Sequence, residues 1–367
     1  MLYNSSLTMP TVLKKLAELP KRLQDLSPAQ AHLCLAVESF LLSQMEQHGC
    51  ISNKDKQADS APLQGHTLIA ACSGGVDSTA LLLILHYLSP RLGHKLAAVH
   101  LDHALREESA EDASFVAELC EMLAIPLHSE RQEIAAKAAS EQTGIEEAGR
   151  NARHALFNQL VSSAENVWIC TGHHVGDLQE DVLLRLIRGA GWPALGGMSS
   201  VDPGRRLLRP LLVKNKNKLV EFLESFGCPW REDASNEDLS FTRNRIRKTI
   251  IPLLQKENPA FSEAISDLWE MANRDAAYWN QALPALPPVE AGTIFIPRNM
   301  LLGLHEAARF RLYKKVLDTV GSGQVLYSML VNLEQAWKNN QGGKRIQFSG
   351  NKQAEIRYGG IIFSAKS

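Results

Sequence analysis

Long apolar runs are missing from this chain. No stretch reaches the roughly 20 residues that a membrane-spanning helix needs, so no membrane association is expected. The first residues lack the apolar core of a secretion signal, and a cytoplasmic location is expected. Cysteine is sparse: six residues, at 34, 50, 72, 120, 170 and 228, with no Cys-x-x-Cys and no paired spacing. That pattern fits free thiols in a reducing compartment and gives no disulfide framework. An excess of one charge is missing too. With 39 Lys and Arg against 40 Asp and Glu the net charge is −1, which argues neither for nor against a nucleic-acid partner. No Gly-Lys-Ser/Thr closes a glycine loop and there is no GxGxxG, so the Walker A and dinucleotide fingerprints are both excluded.

What is present is a globular composition, 45% hydrophobic over 367 residues, enough for two or three domains with real cores. The charge is unevenly spread. From His103 to Glu147 there are eleven acidic and three basic residues; from Arg205 to Lys256 there are twelve basic and six acidic. Such asymmetry points to one side that binds a polyanion, although a solvated helix face explains most charge runs.

Four segments follow from patterning. Residues 1–62 form a helical extension, with apolar residues at helical spacing over Val12–Leu26 and Ala29–Gln47 and a polar linker over 51–64. Residues 63–215 alternate strand and helix. The strands are Leu68–Cys72, Lys95–His100, Pro126–Glu130 and Asn166–Thr171; the helices are Ala80–Leu88, Glu111–Leu123, Gly144–Ser163 and Asp177–Arg188. That alternation predicts an α/β fold, a doubly wound parallel sheet with helices on both faces. Residues 216–283 form a helical basic subdomain, and 284–367 a small α+β domain whose last runs, 344–348, 353–358 and 361–363, suit a hairpin sheet. Ligands of a doubly wound sheet sit beyond the carboxyl ends of the strands. Polar residues gather there: Ser73, then His100-Leu101-Asp102-His103, then Thr171-Gly172-His173-His174.

The stretch around Ser73 is the most informative. A buried strand runs into Ser73-Gly74-Gly75-Val76-Asp77-Ser78 and then into a long apolar helix. Glycines let the backbone approach a ligand, and the free N–H groups at a helix start hold an anion, phosphate above all. This string resembles the SGGxDS signature of the N-type ATP pyrophosphatases, the PP-loop family, whose fold is adenine nucleotide alpha hydrolase-like. Further motifs narrow the resemblance. His100-Leu101-Asp102-His103-Ala104-Leu105-Arg106 is close to the HxDHGLR of the tRNA(Ile)-lysidine synthases, and Glu147-Ala148-Gly149-Arg150-Asn151-Ala152-Arg153-His154 is similar to their ExARxxRY. Gly172 to Asp181 follows their GHHxDDQxET imperfectly. Leu184 to Gly191, Arg209-Pro210-Leu211-Leu212, Trp230 to Asn236, Arg243-Asn244-Arg245-Ile246-Arg247 and Ile251-Pro252-Leu253 also match, so the resemblance covers about 67–280.

The resemblance implies ATP-dependent ligation. ATP adenylates the wobble cytidine of a tRNA(Ile) with a CAU anticodon, pyrophosphate leaves, and free L-lysine displaces AMP at C2. Ser73, Gly74, Gly75, Val76, Asp77 and Ser78 are then expected to cradle pyrophosphate. Asp77 and Asp177 are expected to hold Mg²⁺, with an N-cap-type aspartate as the plain alternative for Asp77. Asp102, His103, His174, Asp177 and Arg185 are expected near the reacting groups. Arg106, Glu147, Arg150, Arg153, Arg188, Arg209, Arg243, Asn244, Arg245 and Arg247 are expected on the substrate and RNA side. A zinc site at His173 and His174 is disfavoured, because adjacent histidines diverge and no third ligand is suitably spaced. One departure stands out: Gly176-Asp177-Leu178 replaces the family's Asp-Asp-Gln, and Asp181 one turn on is the candidate to compensate. Two alternatives stay open: a PP-loop tRNA thiolase, which would want paired cysteines, and a catalytically impaired ATP- and RNA-binding relative; the basic segment and the Arg243-Asn244-Arg245-Ile246-Arg247 motif argue against an amidotransferase of GMP-synthetase type. A homodimer is neither required nor excluded.

Overall fold

The computed structural model describes residues 19–51, 61–105, 109–162, 164–231 and 241–365. Arg106, Glu232 to Asn236 and residues 12–18 of the first helical run lie outside the described residues. The chain separates into two compact units. One comprises 1–180 with 198–262, the other 181–197 with 263–367.

In the first unit α1 (Pro28–Gln47) opens on a capping box. Ser27 accepts from the Gln30 N–H, the Gln30 amide oxygen accepts from the Ser27 N–H, and Pro28 occupies the first turn, where its missing N–H costs nothing. There follow β1 (Thr67–Ala71), α2 (Val76–Leu92), β2 (Lys95–Asp102), α3 (Ser109–Met122), β3 (Leu127–Arg131), α4 (Ile134–Glu141), α5 (Ile145–Ser162), β4 (Val167–Cys170) and α6 (Val175–Ile187, whose residues from 181 on belong to the second unit). After these come β5 (Val201–Asp202), β6 (Leu207–Leu208), α7 (Lys216–Ser225), α8 (Thr242–Arg245), a π-helical stretch Ile246–Ile250, and α9 (Ile251–Glu257).

The sheet order is β3-β2-β1-β4-β6-β5, parallel throughout except for β5, which pairs antiparallel with β6. This is the doubly wound α/β arrangement that the alternation predicts. The chain winds outward from β1 through β2 to β3, then returns to place β4 on the other side of β1. That reversal opens a crevice between the carboxyl ends of β1 and β4. Strand residues alternate between two cores. Leu68 and Ala70 pack with α2, α3 and α7, while Ile69, Val99 and Ile169 pack with Leu156 and Phe157 of α5.

α2 is buried nearly all round, from Val76 to Leu92. A helix apolar on every side needs a cover over the sheet-distal face as well. α1 and α7 supply it: Val37, Leu41 and Met45 join the same core, Glu38 receives Arg91 Nε at 2.8 Å, and Gln30 donates to Ser225 at 2.7 Å. The described part of the N-terminal extension is therefore a lid on the central helix. Elements not legible in the pattern include α4 and the β5–β6 hairpin.

The second unit holds the segment 181–197, α10 (Phe261–Ala282, whose first two residues belong to the first unit), β7 (Thr293–Pro297), α11 (Arg298–Leu302), α12 (Glu306–Val320), α13 (Tyr327–Lys338), β8 (Arg345–Phe348), β9 (Lys352–Arg357) and β10 (Gly360–Ala365). Its sheet is antiparallel, in the order β7-β10-β9-β8. Buried Glu334 accepts from Arg309 and from the Tyr313 hydroxyl at 3.0 Å, and buried Lys352 donates to the carbonyls of Gly321 and Gly323, so both of these buried charges are satisfied.

Candidate active site

The glycine loop joins β1 to α2 at the mouth of the crevice. Ser78 Oγ ties it together, accepting from the Ser73 N–H at 3.1 Å, lying 3.2 Å from Ser73 Oγ and donating to the Gly75 carbonyl at 3.0 Å. Gly74 takes φ +86°, a left-handed conformation that favours glycine. The N-cap of α2 is Gly75, so Asp77 lies in the first turn and is not the capping residue. The first-turn N–H groups of α2 have no partners within the helix and open toward the loop. Gly172, beyond β4, is needed for close approach: a Cβ there would come 2.9 Å from the Asp77 carbonyl carbon and 3.1 Å from the Ser78 nitrogen. Ser73, Gly74, Gly75, Val76, Asp77 and Ser78 thus form one cradle with the segment after β4 packed against it.

That segment brings two histidines and two carboxylates together. His174 Nε2 stands 3.7 Å from Asp77 Oδ2 and 3.7 Å from Asp177 Oδ2. Its Nδ1 accepts the Gly176 N–H at 2.9 Å, and the ring lies over Gly176 so closely that a Cβ there would fall 2.5 Å from His174 Cε1. The glycine that departs from the family pattern is therefore what admits this ring position. Asp177 Oδ2 accepts the His174 N–H at 3.0 Å and Oδ1 faces Arg247 Nη2 at 3.2 Å. Burial opposes ionisation of Asp177, but His174, His173, the His174 N–H and Arg247 together hold it below the usual carboxylate range. For Asp77 burial wins over His174 and Lys216, and its pKa is raised. Its Oδ1 is buried and accepts no hydrogen bond among the described residues, an orphaned oxygen suited to a cation. Asp181 pairs with Arg185 at 2.7 Å.

His173 Nδ1 lies 2.8 Å from the Thr171 hydroxyl, and burial, with Arg209, Arg243 and Arg153 against Asp177, pushes its pKa down to about 4. Its imidazole is neutral at neutral pH. His154 is lowered by burial and by Arg205, Arg150, Arg153 and Arg209, so these arginines converge on one region. Arg150 and Arg153 are exposed on α5 and pair with no carboxylate among the described residues, and Glu147 is exposed on the same helix. Arg209 Nη1 donates to the Ser199 carbonyl at 2.6 Å.

Asp102 ends β2 buried, accepting the Ala104 N–H at 2.8 Å with Arg131 at 3.4 Å, which shapes the turn that carries His103. The His103 ring packs on Gly149 of α5, where a Cβ would come within 3.1 Å. Arg243 and Arg247 both donate to Glu180, which is 1% exposed, Arg243 at 2.8 Å. Arg245 donates to Thr242 at 3.0 Å, and Asn244 lies beside it in α8. Arg185 Nη1 holds the Ala194 carbonyl at 2.8 Å within the second unit, where Arg188 is exposed. Sequence reasoning passed over Glu180 and Arg231. Glu180 was visible as the glutamate of the GHHxDDQxET motif, and nothing in its spacing shows that it meets residues 63 and 67 positions away. Among the described residues no group of three or more His, Cys, Asp or Glu is placed to hold a metal.

Comparison with known proteins places this geometry. Residues 50–254 match the PP-loop domain family. The chain is 48% identical over 316 residues to a curated tRNA(Ile)-lysidine synthase of Nitratidesulfovibrio vulgaris, covering 81% of this chain and 91% of that protein. It is 33% identical over 259 residues to the tRNA(Ile)-lysidine synthase of Geobacter sulfurreducens, covering 69% of this chain and 55% of that protein. It therefore spans nearly all of the first relative and about half of the second. Among solved structures, the U34-tRNA thiolase NcsA from Methanococcus maripaludis with its 4Fe-4S cluster aligns with a TM-score of 0.47 at 15% identity, covering 64% of this chain and 79% of that chain, a likeness too slight to bear on function. With a PP-loop at the sheet's switch point and close identity along most of its length, this chain belongs to the tRNA(Ile)-lysidine synthase family of PP-loop proteins.

Proposed function

We propose that the protein is an ATP-dependent ligase that joins lysine to C2 of the wobble cytidine in a tRNA(Ile) with a CAU anticodon. The observation that carries this reading is 48% identity to a lysidine synthase along 81% of the chain, with the phosphate loop intact. In the first step the cytidine O2 attacks the α-phosphorus of ATP and the bond to the β-phosphate breaks. The cradle of Ser73 to Ser78 and the start of α2 receive the departing pyrophosphate and stabilise its charge. In the second step the lysine amine attacks C2 and AMP departs with the former O2. The enzyme's task is to align the reactants and neutralise charge.

Asp77, with its orphaned Oδ1, and Asp177 are the residues that would hold Mg²⁺, which would offset charge on the triphosphate. His174 orders these two carboxylates. His173, kept neutral by burial, stands beside the Thr171 hydroxyl on the same rim. Arg150, Arg153, Arg209, Arg243, Arg245 and Arg247 are assigned to the tRNA side, meeting phosphates that position without specifying. Nothing favours a thiolase. Cys34, Cys72, Cys120, Cys170 and Cys228 are all buried, and burial pushes the thiols of Cys34, Cys120 and Cys228 up to about 12, away from reactivity.

The test is incubation with ATP, radiolabelled lysine and bulk tRNA. Lysine incorporation with matching AMP release is expected, and Asp77→Ala is expected to abolish AMP release while tRNA retention persists. Unchanged AMP production by Asp77→Ala would overturn the assignment of the loop.

A further inference from the structure

The carbonyl of Gly74 accepts two hydrogen bonds, from the Thr79 hydroxyl at 3.2 Å and from the backbone N–H of Arg231 at 2.8 Å. A glycine at φ +86° enters and leaves that conformation freely, so contacts and not sterics must hold the loop in shape. Thr79 belongs to the helix that follows the loop and cannot supply an outside reference. Arg231 can, because it arrives from a separate part of the chain and is itself fixed. Its Nε donates to Asp112 Oδ1 at 2.7 Å and its Nη2 to Glu111 Oε2 at 2.9 Å. Both carboxylates lie in the first turn of α3. The arginine side chain is 25% exposed and Asp112 17%, so the pair is better sheltered than a surface ion pair. The rest of Arg231 closes over the loop. A Cβ on Gly74 would meet Arg231 Cγ at 3.4 Å, and one on Gly75 would meet the Arg231 carbonyl oxygen at 3.8 Å.

We propose that Arg231 is a positioning residue for the phosphate loop: its ion pair with Asp112 and Glu111 holds its backbone N–H against the Gly74 carbonyl and so keeps the cradle in the shape that grips pyrophosphate. The inference rests on the loop being the pyrophosphate site. It makes the start of α3 and the backbone at Arg231 parts of the ATP grip, although neither supplies a group to the phosphates. A plain structural tie would stabilise the fold without touching nucleotide affinity, and that difference can be measured.

Arg231→Met keeps the aliphatic stem and the backbone N–H and removes the fork. Asp112→Asn removes the charge it answers to, and Arg231→Lys keeps charge without bidentate geometry. Binding of inorganic pyrophosphate and of ATP is measured by calorimetry without tRNA or lysine, followed by KM values for ATP and lysine in the incorporation assay. Arg231→Met and Asp112→Asn should each weaken pyrophosphate and ATP binding about tenfold, roughly 1.4 kcal/mol. The double variant should be no worse than either single one, since the two residues act as one device. Arg231→Lys should recover part of the loss, and KM for lysine should stay within about twofold. Unchanged pyrophosphate affinity in the folded variants would overturn the inference, as would a lowered melting temperature with all KM values intact. If Arg231→Met does not fold, Asp112→Asn decides by the same criterion. A wild-type protein that binds neither pyrophosphate nor ATP would instead overturn the loop reading on which the inference stands.

Discussion

Glu180 offers the sharpest quantitative test. Its carboxylate is 1% exposed and is answered by Arg243 at 2.8 Å and by Arg247, whose other branch reaches Asp177 at 3.2 Å. Removing one partner of a fully buried pair costs about 3–5 kcal/mol because the survivor stays uncompensated. Here the survivors are arginines 49% and 40% exposed, which water can solvate once freed. Glu180→Gln also keeps the shape and one acceptor oxygen. Discounting for both, the loss should be about 2 kcal/mol. For a unit of this size that corresponds to a fall in melting temperature of about 4–8 °C, read by calorimetry or circular dichroism. The same substitution frees Arg243 and leaves Arg247 held by Asp177 alone. With the basic side assigned to tRNA, the salt dependence of tRNA binding should become steeper by about 0.7–0.9 for each freed arginine that reaches a phosphate. A variant that melts within about 1 °C of wild type, with an unaltered salt slope, would refute the reasoning.

Two further outcomes follow. Gly176→Ala trades the Gly176 N–H to His174 bond, about 1 kcal/mol, against a gain in helix propensity of similar size, so stability should move by under about 1 kcal/mol. The new Cβ must still drive the imidazole from between Asp77 and Asp177, so AMP release should fall as far as it does in His174→Ala, and losses differing more than about threefold would contradict this. His94, 3% exposed, is pushed down by burial to about 4. Its folded pKa lies below the unfolded value near 6.5, so the unfolded chain takes the proton first. The stability it contributes is complete above pH 6.5 and is lost as pH falls toward 4. In urea titrations across that range His94→Leu should remove a slope of up to about 1.4 kcal/mol per pH unit, and an unchanged acid slope would show the burial argument to be wrong.

Much of this protein is legible because local chemistry and fold agree. Leu68 to Leu88 can only be a buried strand, a glycine turn and an apolar helix, and the turn's N–H groups select an anion wherever the rest of the chain goes. The polar residues at the ends of β2 and β4 fall on the same rim because parallel strands all end on one side. Less legible were elements whose signals are short. β7 reads Thr-Ile-Phe-Ile-Pro, with only Ile294 and Ile296 buried, and two inward residues do not separate a strand from a loop. The hairpin Val201–Asp202 with Leu207–Leu208 is shorter still, and its pairing beside β4 depends on the sheet edge that β4 presents.

Residue type and order along the chain settled the parallel sheet, the glycine loop and the set of polar groups offered at its rim, because these follow from periodicity and from the backbone freedom of glycine. Partnership was settled only by folding. Arg243 and Arg247 are basic residues in a basic run, yet what they touch is a buried glutamate from another helix, and Arg231 reaches α3 across 119 and 120 positions. Gly176 reads as the loss of a carboxylate until the fold shows a histidine ring lying over it. Charge pairing and steric exclusion depend on distances between segments remote in the chain, and those distances exist only once the sheet has brought the segments together.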